Sequence, residues 1–276
     1  REGRLNVFAL RGCQITNLVA ERNNQLGRVA PPSQRWLYEL RLWRRLSACV
    51  TTDVVEALGA DDRARLARLT RLKTQQLPTQ GYNALVASEE WAGSFSRASS
   101  PIDPQDLGEI QRQLPALQYL TDAIRHQYDR TWMPDSATLE GHLKTLRERP
   151  LSAELLRSLL LAAVRLEEIN RVMATAQDQR CQGSGAPRAA SSVAFDPALS
   201  AWTTRLGDAA GTWFAAIDRL LDAHVAGTDA LRRYRQEWLD LDSSTTPLGR
   251  FDAARQEHQH LQHTLSQRCN SAGDLR

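Results

Sequence analysis

Three sets of residues in this chain have types and spacings that can do chemistry. The first is on the carboxyl side. Glu257 and His260 stand three apart, the Glu-x-x-His spacing with which helix bundles hold paired metal ions. Such a site needs a second Glu-x-x-His and two more glutamates on facing helices. Glu167 and Glu168 offer carboxylates, yet the chain has no second Glu-x-x-His, so no metal or other cofactor is expected. His258 falls instead on the stripe of Phe251, Ala254, Leu261 and Leu265, where an apolar residue belongs. A histidine there either serves a site or is a core residue satisfied by hydrogen bonds. The second reading is favoured, and it predicts an enclosed imidazole bonded to a neighbouring helix.

The second set is polar: Gln14, Asn17, Glu21, Arg22 and Asn23. Gln14, Asn17 and Glu21 share one face of a helix at spacings of three and four. As structure, this is a solvated face, with Gly27 ending the helix and Ser33 capping the next one after Pro31 and Pro32. As a site, it is a binding rim, or a Glu21–Arg22 ion pair that anchors the loop. The third set is Cys13, Cys49, Cys181 and Cys269, which allow three pairings. No Cys-x-x-Cys occurs, against both a redox motif and a zinc ribbon. The expected disulfides are Cys13–Cys49, across two antiparallel helices, and Cys181–Cys269, between two helix ends; four buried free thiols are the alternative. An even count at element ends suits an oxidising compartment. No nucleophile elbow or phosphate-binding glycine loop is present, so an enzyme reading has no catalytic residue to name.

The elements that must position these residues are helical, because apolar residues recur at threes and fours rather than twos. The clearest helix runs from about 151 to 180. Its seam is Leu155, Leu159, Ala162, Leu166, Ile169, Met173 and Ala176. Asp103-Pro104, Asp196-Pro197 and Thr246-Pro247 each read as a cap followed by a helix-opening proline. The first of these helices is expected to bend at Pro115 and continue to Tyr128. Shorter helices are expected at about 5–22, 34–48, 61–77, 82–90, 136–148 and 229–241. Linkers fall at 27–33, 96–101 and 181–197. Trp36 and Trp43 share a face, as do Trp202 and Trp213, where core packing is the default. Gly207 and Gly211 would let another backbone approach.

The fold class expected is all-α, an irregular multi-helix bundle with two disulfides, forming a single domain over 1–276 with a loose division at 181–197. Charge is balanced, 35 basic against 32 acidic side chains, and it forms no block, which leaves a nucleic-acid footprint unsupported. No apolar run approaches the length of a membrane span. The chain opens on Arg1 without an initiator Met or signal peptide, and it is read as a mature or trimmed product.

The stretch from Phe8-Ala-Leu-Arg-Gly-Cys13 through Glu21-Arg22-Asn23 and Gly27 to Pro31-Pro32-Ser33-Gln-Arg-Trp-Leu-Tyr-Glu-Leu-Arg41 resembles the signature region of an uncharacterised Gram-negative bacterial family. Some members of that family are described as lipoproteins. His258, eleven residues before Cys269, resembles its closing motif. Asn24, Gln25 and Asn270 depart from it, where serines and a glycine are expected. The resemblance covers most of the chain and supplies no activity. It implies an export signal, and a lipidated cysteine, upstream of Arg1. The expected role is therefore binding or scaffolding in the periplasm, with an envelope protein as partner and membrane contact only through that anchor. The alternatives are a carrier of a small apolar or lipidic ligand and a metal-dependent enzyme built on His258.

Overall fold

The computed structural model describes residues 4–179, 196–225 and 227–271, and side chains for 7–175, 196–225 and 227–267. Among the described residues every regular element is helical. By backbone contacts the chain forms two compact units. The first comprises Arg1–Ser94, Pro115–Arg149 and Arg219–Gly227, and the second Phe95–Leu114, Pro150–Asp218 and Thr228–Arg276. Most of the 181–197 stretch lies outside the described residues.

In the first unit, helix Pro32–Cys49 lies against helix Ala60–Leu85. Trp36, Leu37, Leu40, Trp43 and Leu46 bury one face of the former, as their spacing requires. The amino-terminal segment is not the single helix expected over 5–22. It is broken into Arg4–Ala9, a 3-10 turn Arg11–Cys13, and Thr16–Asn23. The break sits at Gln14, whose φ of 55° is left-handed, a conformation that few non-glycine residues hold without outside support.

Helix Ala60–Leu85 runs straight through Pro78, where two helices were expected. A proline at 78 cannot donate the bond that a helix owes to the carbonyl of Thr74. The hydroxyl of Tyr128 donates to that carbonyl instead, at 2.9 Å. Tyr128 also meets Trp43 edge-on at 5.5 Å, and Trp43 Nε1 donates to Thr74 Oγ1 at 2.9 Å. A tertiary contact thus fills the gap that proline leaves.

In the second unit, helix Leu151–Gln179 packs along helix Pro247–Ser271. Leu155, Leu159, Ala162, Leu166 and Met173 are buried, as are Phe251, Ala254 and Leu261 opposite. The side chain of Ala176 lies outside the described residues. Trp213 is fully buried, its indole N–H donating to Ser152 Oγ at 2.9 Å. A Cβ on Gly207 would come within 3.3 Å of the Phe251 ring, so this glycine makes room for a close neighbour. Gly211 faces nothing within 4 Å and plays no such part. Thr246 caps the last helix as expected, its hydroxyl accepting from Gly249 N at 3.3 Å. Asp103 also caps, accepting from Gln105 N at 2.9 Å, but it opens a 3-10 turn, Pro104–Gly108. The α-helix after it spans Glu109–Arg125 and ends before Tyr128.

Candidate functional site

The segment 8–41 brings its glycines, cysteine and charged residues together for a physical reason. Cys13 and Cys49 form a disulfide, with Cα atoms 5.2 Å apart and a sequence separation of 36. Both are 4% exposed, packed with Leu10, Ile15, Leu42, Leu46 and Leu66. Closing a loop of that length removes unfolded-state entropy equivalent to about 4 kcal/mol. Gly12 lies where a Cβ would meet Val54 Cγ1 at 2.7 Å. The guanidinium of Arg45 donates to the carbonyl of Gln14 and so holds the left-handed residue from outside.

Gly27 was expected to end a helix but lies inside one, Gln25–Val29, which Asn24 caps by accepting from Gly27 N at 2.7 Å. A Cβ on Gly27 would stand 2.1 Å from the carbonyl oxygen of Glu21, so no other residue fits the approach of these two turns. Arg22 donates to the carbonyl of Gly27 and clamps the same turn. The Arg22 side chain is therefore spent on that carbonyl, not on the Glu21 pair considered from sequence. Ser33 does not cap its helix either. It is buried and donates to Glu140 Oε1 at 2.7 Å, which also accepts from Gln34 Nε2 at 2.6 Å. Gln14, Asn17, Glu21 and Asn23 are all exposed, and Gln14 lies off the helix that carries the other three. They do not converge.

The same segment walls an open groove of about 570 Å³ in the first unit. Its aliphatic lining is Val7, Val19, Leu69 and Leu72, over the buried Ile15, Leu42 and Leu46. Among the described residues its charged lining is Arg68, Arg71 and Lys73. Lys73 is paired with Glu39 at 2.7 Å. Tyr38 also lines the groove, and burial, with Glu39 adding to it, pushes its hydroxyl up to about 12. It stays a protonated donor at neutral pH. Nothing in the residue types announced this groove, since each lining residue reads singly as core or as a solvated face.

His258, in the second unit, is 6% exposed. Its Nδ1 lies 2.9 Å from Asn170 Oδ1 and its Nε2 lies 3.0 Å from Gln262 Nε2. Asn170 Nδ2 donates to the carbonyl of Ala254 at 2.8 Å. That carbonyl only accepts, so the chain of donors has one direction. Asn170 turns its Oδ1 to the imidazole, Nδ1–H donates, and Nε2 accepts from Gln262. Asn170 was missed from sequence, although a polar residue beside the seam was a usable signal for a partner to a polar residue on the facing stripe.

The carboxylates near this end are engaged elsewhere or face water. Glu167 pairs with Arg250 through two bonds of 2.6 Å, which holds its carboxyl below the usual range. Glu168 pairs with Arg165 at 2.7 Å. Glu257 and His260 are exposed. Among the described residues no group of three or more His, Cys, Asp or Glu side chains has the arrangement to hold a metal ion. A second depression, of about 440 Å³, is lined by residues of both signs and contains the Arg235–Asp218 pair at 2.6 Å. Cys181 and the Cys269 side chain lie outside the described residues, and so does their expected pairing.

No described helix is long and apolar enough to cross a membrane. No curated protein and no solved structure matches the chain. A family model matches residues 3–272, nearly the whole length. The chain belongs to the family described as a protein of unknown function, DUF3080.

Proposed function

We propose that the protein is a non-enzymatic binding or scaffolding protein of the cell envelope, held outside the cytoplasm and tethered in its native form by a lipid upstream of Arg1. The observation that supports this reading is the buried Cys13–Cys49 disulfide. Disulfides form and persist in oxidising compartments, and here the bond packs with Ile15, Leu42 and Leu46, which also line the groove. The Cys181–Cys269 pair is proposed as a second bridge in the same compartment.

The test uses the full natural precursor in a Gram-negative host, fractionated and then alkylated under denaturing conditions before and after reduction. Recovery with the envelope, and no label on any of the four cysteines before reduction, is the expected result. Recovery in the cytoplasm with Cys13 and Cys49 labelled would overturn the reading. Affinity capture from envelope extracts, with the anchor intact, then identifies the partner. The second reading, a carrier of a small lipidic ligand, is favoured by the aliphatic groove in the first unit.

A further inference from the structure

We propose that the turn at 24–32 docks the chain on an anionic bilayer, with Leu26 and Val29 entering the headgroup layer and the arginines around them meeting lipid phosphates. This contact is separate from the proposed lipid anchor and goes beyond the binding or scaffolding role.

Leu26 is 79% exposed and Val29 75%, more than any other large hydrophobic side chain among the described residues. They stand three apart on helix Gln25–Val29, hence as neighbours on one face. Pro31 and Pro32, just beyond them, are exposed as well. The turn is braced from within. Asn24 accepts from Gly27 N, Arg22 donates to the Gly27 carbonyl, and only a glycine fits against the Glu21 carbonyl. The fold thus spends three interactions on a turn whose aliphatic side chains point into solvent. An exposed apolar surface of this kind marks a place for a protein or a membrane.

The charge around the pair decides between the two. From 21 to 38 the charged side chains are Glu21, Arg22, Arg28 and Arg35. Arg28 is exposed and has no side-chain partner among the described residues. Arg22 and Arg35 donate to the carbonyls of Gly27 and Ala30, neutral groups that leave the guanidinium charge uncompensated. Glu140, at the start of the next helix, is taken by Ser33 and Gln34. Excess guanidinium charge beside projecting aliphatic side chains fits a surface with phosphates outside and hydrocarbon beneath. A specific protein interface buries about 800 Å² on each partner. Two aliphatic side chains flanked by the exposed amides of Asn23, Asn24 and Gln25 fall far short of that, whereas a bilayer requires no matching shape.

The oxidised chain of 276 residues, carrying no lipid, would be floated with phosphatidylcholine vesicles with and without phosphatidylglycerol. Co-flotation with the anionic vesicles is expected, weaker on the neutral ones and weakened by salt. The double variant L26E V29E should lose tenfold or more in partitioning. R28Q should lose about fivefold on anionic vesicles and little on neutral ones. V172E, at a side chain 62% exposed in the second unit, should float like the parent. Circular dichroism and urea midpoints of all variants should match the parent, since every site faces water, and a double variant that unfolds is replaced by L26S V29S.

No co-flotation, or equal co-flotation by the parent and L26E V29E, would overturn the proposal. A parent that dimerises in sedimentation and ignores vesicles, with L26E V29E monomeric, would assign the turn to a second copy instead. Capture of an acidic envelope protein by a parent that ignores vesicles, lost in L26E V29E, would assign it to that protein. Each of these failures leaves the fractionation and alkylation results, and so the envelope reading, untouched.

Discussion

His258 and Asn170, 88 residues apart, satisfy each other inside the second unit, the imidazole donating from Nδ1 to the amide oxygen at 2.9 Å. The pair joins, in the interior, two helices that the exposed Glu167–Arg250 pair also links at the surface, and the Ala254 carbonyl sets the direction of the whole relay. A buried polar group left without its partner costs about 1–3 kcal/mol. H258L should therefore lose about that much in denaturant unfolding, and H258Q less, because an amide can still donate to Asn170. Adding N170L to H258L should recover part of the loss. A double variant that simply adds the two single costs would show that the pair is not coupled.

Leu166 is 3% exposed on the seam facing that relay. L166D buries a carboxylate without a partner, at several kcal/mol, against a total domain stability of roughly 5–15 kcal/mol. Its melt by circular dichroism should be lost or strongly lowered, while H260A, on an exposed position, melts like the parent. A native-like melt for L166D would contradict the observed register.

In the first unit, the Tyr128 hydroxyl occupies the carbonyl that Pro78 leaves open. Y128F should cost about 1 kcal/mol. In a P78A background the helix can supply its own donor, so the same Y128F change should cost clearly less. Urea midpoints of the four proteins close this cycle. An equal cost in both backgrounds would separate the tyrosine's role from the proline.

His224 is largely enclosed, edge-on to Tyr82 at 5.9 Å, with neither ring nitrogen hydrogen-bonded among the described residues. Burial lowers its pKa to about 4 from an ordinary 6.5. Below 6.5 the unfolded chain binds a proton that the folded chain refuses, so stability falls as pH drops from about 6.5 towards 4. The difference reaches on the order of 2 kcal/mol at pH 4.5. Comparing the parent with H224F at pH 7 and pH 4.5 isolates this contribution. The parent should lose more by about that amount, and identical pH profiles would place the charge in water.

The helical class, the seam of Leu155 to Met173, the stripe of Phe251 to Leu261 and the Cys13–Cys49 pairing were all legible in the residues alone. Each is written within one or two neighbouring helices, where spacing reports directly on which face is buried. Three features came only with tertiary structure. The helix continues through Pro78 because a hydroxyl 54 positions away from Thr74 replaces a missing bond. The amino-terminal helix breaks at Gln14, whose left-handed carbonyl is held by an arginine 31 residues away. The groove exists because residues from separate segments, Val7, Ile15 and Val19, Tyr38 to Leu46 and Arg68 to Gln75, converge on it. Periodicity describes how a segment treats its own backbone and its nearest partner. It carries no information about a donor, a clamp or a wall supplied from elsewhere in the chain, and those are what decide where a ligand can sit.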